Sequence, residues 1–374
     1  MIVIPLIFAL RIFGFMAVLP VAAIATKTYS GYSIAMVGLV IGIYGLMQAM
    51  LHIPMGYLSD RYGRRNIVLL GLFLMLLGSV FAAMTTSIYG LVIARAIQGA
   101  GAVGSVLNAW CADLTAESER TKAMAIIGMT IGATFLMAVV LGPVIFNAIG
   151  FSGLFWLTAF LALIAMALTL TLPQGSESQA IAFKSHFNKI ISDSNIHKLN
   201  FGIFAVHASY TALFLLIPGW VAAYVGGTKY AWHLYLPMIL TGALLSLPMM
   251  FFAEARGYLR QVLWCSAIMF LLVHLGLIVN LSWWLPLLFL YFSAFTILEA
   301  LLPSLLSRFA PAGCKGTAMG AFACAQYLGI FVGSVFGGWL LHNFSIITVL
   351  IFIFLISTLW CLMALKLPVA NLSR

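Results

Sequence analysis

The chain has 374 residues, of which 64% are hydrophobic and 7% charged, and its mean hydropathy is +1.14. Soluble domains carry about 25% charged residues, and so few charges would leave a globular surface with apolar patches well beyond roughly 300–600 Å². A soluble enzyme, a nucleic-acid-binding module and a secreted disulfide scaffold are therefore excluded. Lipid satisfies no backbone N–H or C=O, so the spans must be helices or a closed barrel, and apolar runs of about twenty residues without alternation exclude the barrel.

From the N-terminus the apolar spans run Ile2–Ala25, Ile34–Leu58, Asn66–Thr86, Ile88–Leu114, Thr121–Phe146, Phe151–Leu172, Phe201–Tyr224, Trp232–Phe252, Gln261–Asn280, Trp283–Leu306, Gly316–Leu341 and Ile346–Leu365. Twelve spans put both termini on one side. Of the 18 lysines and arginines, Arg61, Arg64, Arg65, Arg120, Lys122, Lys184, Lys189, Lys198, Arg256, Arg260, Arg308, Lys315, Lys366 and Arg374 fall on that side. Only Lys27 and Lys229 fall on the other, while Arg11 and Arg95 lie within spans. The positive-inside rule makes the crowded side cytoplasmic in a bacterial inner membrane, so the net charge of +10 records orientation rather than a nucleic-acid partner. The first span reads as a span and not a cleaved leader, because no charged segment precedes its apolar run and Arg11 interrupts it. Cys111, Cys265, Cys314, Cys324 and Cys361 are scattered, so no disulfide, metal site or cofactor is expected.

The polar connector 173–200 separates an N-terminal six-span bundle, 1–172, from a C-terminal one, 201–374, and a short interfacial helix over Ala180 to Ile191 with Lys184 and Lys189 fits its middle. The halves echo one another. Leu51-His52-Ile53-Pro54-Met55, followed by Asp60 and Gly63, is matched by Leu245-Ser246-Leu247-Pro248-Met249, followed by Glu254 and Gly257, at an offset of 194. Thr121-Lys122-Ala123-Met124 is matched by Gly316-Thr317-Ala318-Met319 near the same register. A same-orientation repeat of six spans implies two similar bundles about an axis along the membrane normal, the plan of a transporter with a central site.

The loop after the second span reads Gly56-Tyr57-Leu58-Ser59-Asp60-Arg61-Tyr62-Gly63-Arg64-Arg65. Gly63 permits a tight turn, Asp60 can sit at a helix N-terminus, and Arg61, Arg64 and Arg65 can pair with carboxylates across a moving interface, as a gate latch would. The bland alternative is a loop that is merely positive-inside. Gly128 and Gly132, then Gly329, Gly333 and Gly337, recur at four-residue spacing, which lets helix backbones approach closely.

With Arg95-Ala96-Ile97-Gln98-Gly99-Ala100-Gly101 in the fourth span and Gly142-Pro143 in the fifth, this set of motifs resembles the major facilitator superfamily over the whole chain. Ala112-Asp113-Leu114-Thr115 and Glu299-Ala300-Leu301-Leu302-Pro303-Ser304-Leu305 are similar to those of a branch of proton-driven drug exporters within it. The resemblance implies an all-α membrane protein of twelve transmembrane helices in two pseudo-symmetric bundles, alternating access, and a charge relay of Asp60, Arg64 and Asp113. It also points to Gln48, Gln98, Asn108, Tyr210, Phe295, Gln326 and Tyr327 as candidates on cavity-lining spans.

An ionisable group at membrane depth costs at least about 2.5–3.5 kcal/mol and usually has a partner or a cavity. Glu299 is the one carboxylate well inside a span, about six residues or ~9 Å from the span end, and His207 lies at similar depth in the seventh span. The two together could load and release a proton, or form a static hydrogen-bonded pair. Arg11 and Arg95 suit a structural or coupling role better than substrate contact, and His52 and His274 read as packing. The resulting reading is a monomeric secondary transporter, not an enzyme, exchanging protons for small amphiphilic compounds within the lipid bilayer. A symporter or uniporter for a small nutrient is the alternative, with a membrane-embedded protein that transports nothing behind it.

Overall fold

Helices account for the ordered secondary structure because apolar side chains in lipid leave the backbone no other partner than itself. The computed structural model describes residues 2–174, 190, 192–311 and 314–368. In chain order its helices are α1 (Val3–Met16), α2 (Leu19–Ala25), α3 (Ile34–Tyr62), α4 (Arg64–Met84), α5 (Ile88–Ala100), α6 (Gly104–Asp113) and α7 (Arg120–Leu170). After the connector come α8 (Ser194–Leu213), α9 (Ile217–Val225), α10 (Trp232–Arg256), α11 (Leu259–Val279), α12 (Trp284–Phe309), α13 (Lys315–Asn343) and α14 (Ile346–Leu365). The interfacial helix expected around Lys184 and Lys189 lies outside the described residues.

Ten segments among these residues are long and apolar enough to cross a bilayer. One of them, Lys122–Leu170, has 49 residues, about 74 Å of helix against a hydrocarbon core of ~30 Å. It is broken by a kink at Gly150, whose φ of 75° and ψ of 179° lie outside the helical region, and its length suffices for two crossings. Ser194–Leu213 and Ile217–Val225, bent by 46° at their break, form one more, which agrees with the twelve spans expected. Prolines mark two of the internal breaks: Pro20 opens α2 and Pro218 opens α9, where a missing N–H costs nothing in the first helical turn, while the break between α5 and α6 falls at Gly101-Ala102-Val103 without one.

The chain folds into two compact units. One gathers the chain before the connector together with Phe214–His233; the other takes the residues up to Leu213 and those from Leu234 onward. The expected boundary at residue 200 assigns the whole seventh span to the second half, whereas its α9 portion packs with α2 in the first unit. There Thr228 Oγ1, just beyond α9, donates to Asn147 Oδ1 at 3.0 Å. The core of the first unit contains Ile7, Phe8, Val68, Leu72, Val106 and Trp110, all buried.

The sequence repeat has a backbone counterpart. Pro54 lies inside α3 and Pro248 inside α10, and each helix is followed by a glycine of positive φ, 86° at Gly63 and 72° at Gly257, a conformation glycine adopts without steric cost. α7 begins at Arg120 and α13 at Lys315, the same register that the sequence offset predicts.

Candidate functional site

In the second unit the site is set by how closely α13 approaches α8. A Cβ at Gly329 would collide with the carbonyl oxygen of Phe204, and one at Gly333 with that of Ala208. Bare glycine surfaces let the backbones meet, as small residues do where lipid supplies no hydrophobic drive for helix association. Thr211 Oγ1 reaches the Ile330 carbonyl across this seam at 3.2 Å, and Gly337 continues the buried stripe.

That register places Gln326 of α13 against His207 of α8 and Glu299 of α12. His207 is 3% exposed, and its Nδ1 lies 3.2 Å from the Ile203 carbonyl, which can only accept, so Nδ1 carries the proton. Nε2 of the neutral ring is then an acceptor, 2.8 Å from the Gln326 amide nitrogen. The same amide nitrogen donates to Glu299 Oε1 at 3.2 Å. Glu299 Oε2 stands 3.8 Å from His207 Nε2 and makes no hydrogen bond among the described residues. The side chain as a whole is 38% exposed, but Oε2 itself is buried, so one oxygen is held by Gln326 and the other is enclosed without a partner among the described residues. Tyr210 and Phe295 close the buried side, stacked at 5.1 Å with Phe295 5.9 Å from the His207 ring.

The two residues read from sequence as a pair thus share one cluster, bridged by Gln326, which was expected as a cavity residue. Of the other cavity candidates, Tyr210 and Phe295 are buried packing, Tyr327 is half-buried and Asn108 exposed. Gln48 and Gln98 are corrected outright. Both are buried and occupied as acceptors for guanidinium groups, because an arginine at membrane depth must find oxygen atoms. Arg11 Nη2 donates to Gln48 Oε1 at 2.8 Å, and Gln48 Nε2 passes the bond on to the Gly99 carbonyl at 3.0 Å. Arg95 Nη1 donates to Gln98 Oε1 at 2.8 Å, and Gln98 in turn donates to Ser79. The Arg95 guanidinium lies 4.8 Å from the Tyr44 ring centre and 5.3 Å from that of Phe15, rings that stack on each other, so aromatic faces take the place of a carboxylate.

At the arginine-rich end of the first unit, Arg64 bridges two acids. Its Nη1 meets Asp60 Oδ1 at 2.5 Å and Ser59 Oγ at 2.6 Å, while Nε meets Asp113 Oδ2 at 3.0 Å. Asp60 occupies the last turn of α3 rather than a helix N-terminus in its unit, because the helix continues to Tyr62 before Gly63 ends it. Arg64 compensates the carboxylate there. Arg61 lies over the Tyr62 ring at 5.5 Å, and neither it nor Arg65 forms an ion pair among the described residues. The second unit has a pair that sequence reasoning missed: Arg308 near the end of α12 bonds Glu254 near the end of α10, the residue matching Asp60 by repeat.

One further expectation changes. No heavy atom comes within 4 Å of a Cβ position at Gly128 or Gly132, so neither seats a neighbouring helix here. α7 makes its close contact later, at Gly142 beside Pro143, where a Cβ would strike the carbonyl of Ala17, the residue just after α1. His274, expected as packing, is fully buried between Phe270, Tyr291 and Ser357, with Nδ1 3.0 Å from the Ser357 hydroxyl.

The family model for the Major Facilitator Superfamily matches residues 5–222, more than half of the chain. The Inner membrane transport protein YajR of Escherichia coli is 38% identical over 342 residues, covering 89% of this chain and 75% of the relative. The Multidrug resistance protein MdtH of Aeromonas salmonicida is 23% identical over 346 residues, covering 90% and 86%. Among solved structures, the D-xylose-proton symporter superposes with a TM-score of 0.78 at 17% identity, covering 99% of this chain and 98% of that one. The chain belongs to the major facilitator superfamily and is a multi-pass membrane transporter, not an enzyme.

Proposed function

We propose that the chain exports small amphiphilic compounds in exchange for protons, with Glu299 as the group that carries the proton and His207 as its partner. The observation that carries this reading is a carboxylate about 15 Å along α12 from its end, with Oε1 bonded to the Gln326 amide that also meets His207, Oε2 buried without a hydrogen bond among the described residues, and the side chain 38% exposed as a whole. A buried carboxyl that faces an opening can change charge as access changes, and its neutral form is the one a lipid-enclosed site tolerates. Two similar six-helix bundles would supply the alternation, with Asp60, Arg64 and Asp113 as a latch at one end. The name of the MdtH relative, a multidrug resistance protein, and an interior where arginines are already matched by amides and aromatic rings both favour apolar or weakly cationic substrates over phosphorylated ones. The loop charges favour an inner-membrane monomer with both termini in the cytoplasm.

Proton flux in vesicles reconstituted with purified protein, scanned over a panel of amphiphilic compounds, tests the reading. Substrate addition should move protons in the opposite direction, and Glu299→Gln should abolish that flux while leaving expression and melting unchanged. Undiminished flux from Glu299→Gln sinks the assignment.

A further inference from the structure

Three groups meet around one amide, and the direction of each hydrogen bond is fixed by chemistry. The Ile203 carbonyl accepts from His207 Nδ1, so Nε2 of the neutral ring offers a lone pair. One amide hydrogen of Gln326 goes to that lone pair and the other to Glu299 Oε1. Both hydrogens are used, and both acceptors are in their unprotonated form.

A single proton arriving at this cluster has three landing places. On His207 Nε2 it would face the Gln326 amide donor at 2.8 Å, hydrogen against hydrogen. Turning the amide to accept it would aim the amide oxygen at Glu299 Oε1, 3.2 Å away, an oxygen against a carboxylate oxygen. On Glu299 Oε1 the proton meets the same donor. Glu299 Oε2 makes no hydrogen bond among the described residues, so a proton there breaks none of the existing ones. We propose that Gln326 is a positioning residue that steers the incoming proton to Glu299 Oε2 and keeps His207 neutral.

Oε2 is buried in this structure, so the step belongs to the state in which water reaches it: an O–H bond forms at Oε2 with a proton from hydronium, leaving water, and the same bond breaks when water takes the proton back. The titratable groups around the cluster are Tyr210 on α8, Tyr235 on α10 and Tyr291 on α12, with His274 of α11 behind Tyr291 at 5.6 Å between ring centres and Cys324 two residues before Gln326 on α13. On α14, Ser357 bonds His274 and the Trp360 ring lies against Gly202 of α8, neither of them charged. Every described lysine and arginine of this unit sits in the first or last turns of a helix or just beyond it, so no cation competes for the carboxylate. The inference rests on the reading of Glu299 as proton carrier.

The test uses the full-length protein in lipid nanodiscs. Infrared difference spectra follow the protonated carboxyl of Glu299, assigned by its loss in Glu299→Gln, and nitrogen NMR of labelled histidine follows the His207 ring. On acidification the wild type should gain the carboxyl band while His207 stays in its neutral, Nδ1-protonated form. In Gln326→Met, of similar size but without donors, His207 should become imidazolium over the same acidification and the carboxyl band should be lost; Gln326→Asn should restore part of the wild-type pattern. Imidazolium in the wild type beside an ionised Glu299, or a neutral His207 in Gln326→Met, would overturn the proposal. Proton-coupled flux surviving in Glu299→Gln would instead remove the carrier reading beneath it, so the two failures are told apart.

Discussion

Arg64 shows how much of the first unit's charge cluster depends on shape rather than on sign. Its guanidinium spends Nε on Asp113 and Nη1 on Asp60 and Ser59, a fork that the single ammonium of lysine cannot reproduce. Arg64→Lys should therefore behave more like Arg64→Ala than like wild type. Loss of one arm leaves a carboxylate poorly paired, and with Asp60 and Asp113 side chains 37% and 21% exposed the cost should be about 1–2 kcal/mol, well below that of a fully buried pair. Thermal unfolding in detergent checks this, and a lysine variant that melts with the wild type would refute it. The partners of Arg64 were legible because Asp60 and Asp113 stand in recognisable motifs. Gln48, Gln98 and Gln326 were not: which face a glutamine presents depends on helix rotation, and nothing in their neighbours along the chain shows that two serve buried arginines and one bridges a histidine to a carboxylate.

Helices α8 and α13 meet where glycine is required, and helix α7 carries glycines that meet nothing. Gly333→Ala should drive a methyl group into the Ala208 carbonyl and destabilise the protein by about 1–3 kcal/mol, as overpacking does. Gly132→Ala places its methyl group in open space within a helix and should be neutral or stabilising by up to ~1 kcal/mol. Melting curves of the two variants side by side decide the matter, and equal curves would remove the distinction. Four-residue spacing flags both pairs alike, because periodicity identifies a stripe but not whether another helix covers it. Span positions fared better: composition and apolar length marked all twelve segments, and the paired prolines and glycines at Pro54, Gly63, Pro248 and Gly257 fell where the repeat put them. The breaks that split the first and seventh spans were not marked as such, since a proline in a helix's first turn costs too little to distinguish a kink from a start.

For the molecule as a whole, orientation is the expectation that loop charge alone supports. In a background lacking the five native cysteines, Lys27→Cys and Lys229→Cys should react with a membrane-impermeant maleimide added to intact cells, and Lys366→Cys only after the cells are opened. Labelling in the reverse sense would invert every statement about which end the Arg64 cluster guards. The chain's economy has a cost at Gly150. A break one residue long leaves no slack between the two helical stretches, so a single residue added there turns one flank by about 100° against the other. Alterations in length there are transmitted to the Gly142–Ala17 seam eight residues back, which makes it a poor place to attach a tag.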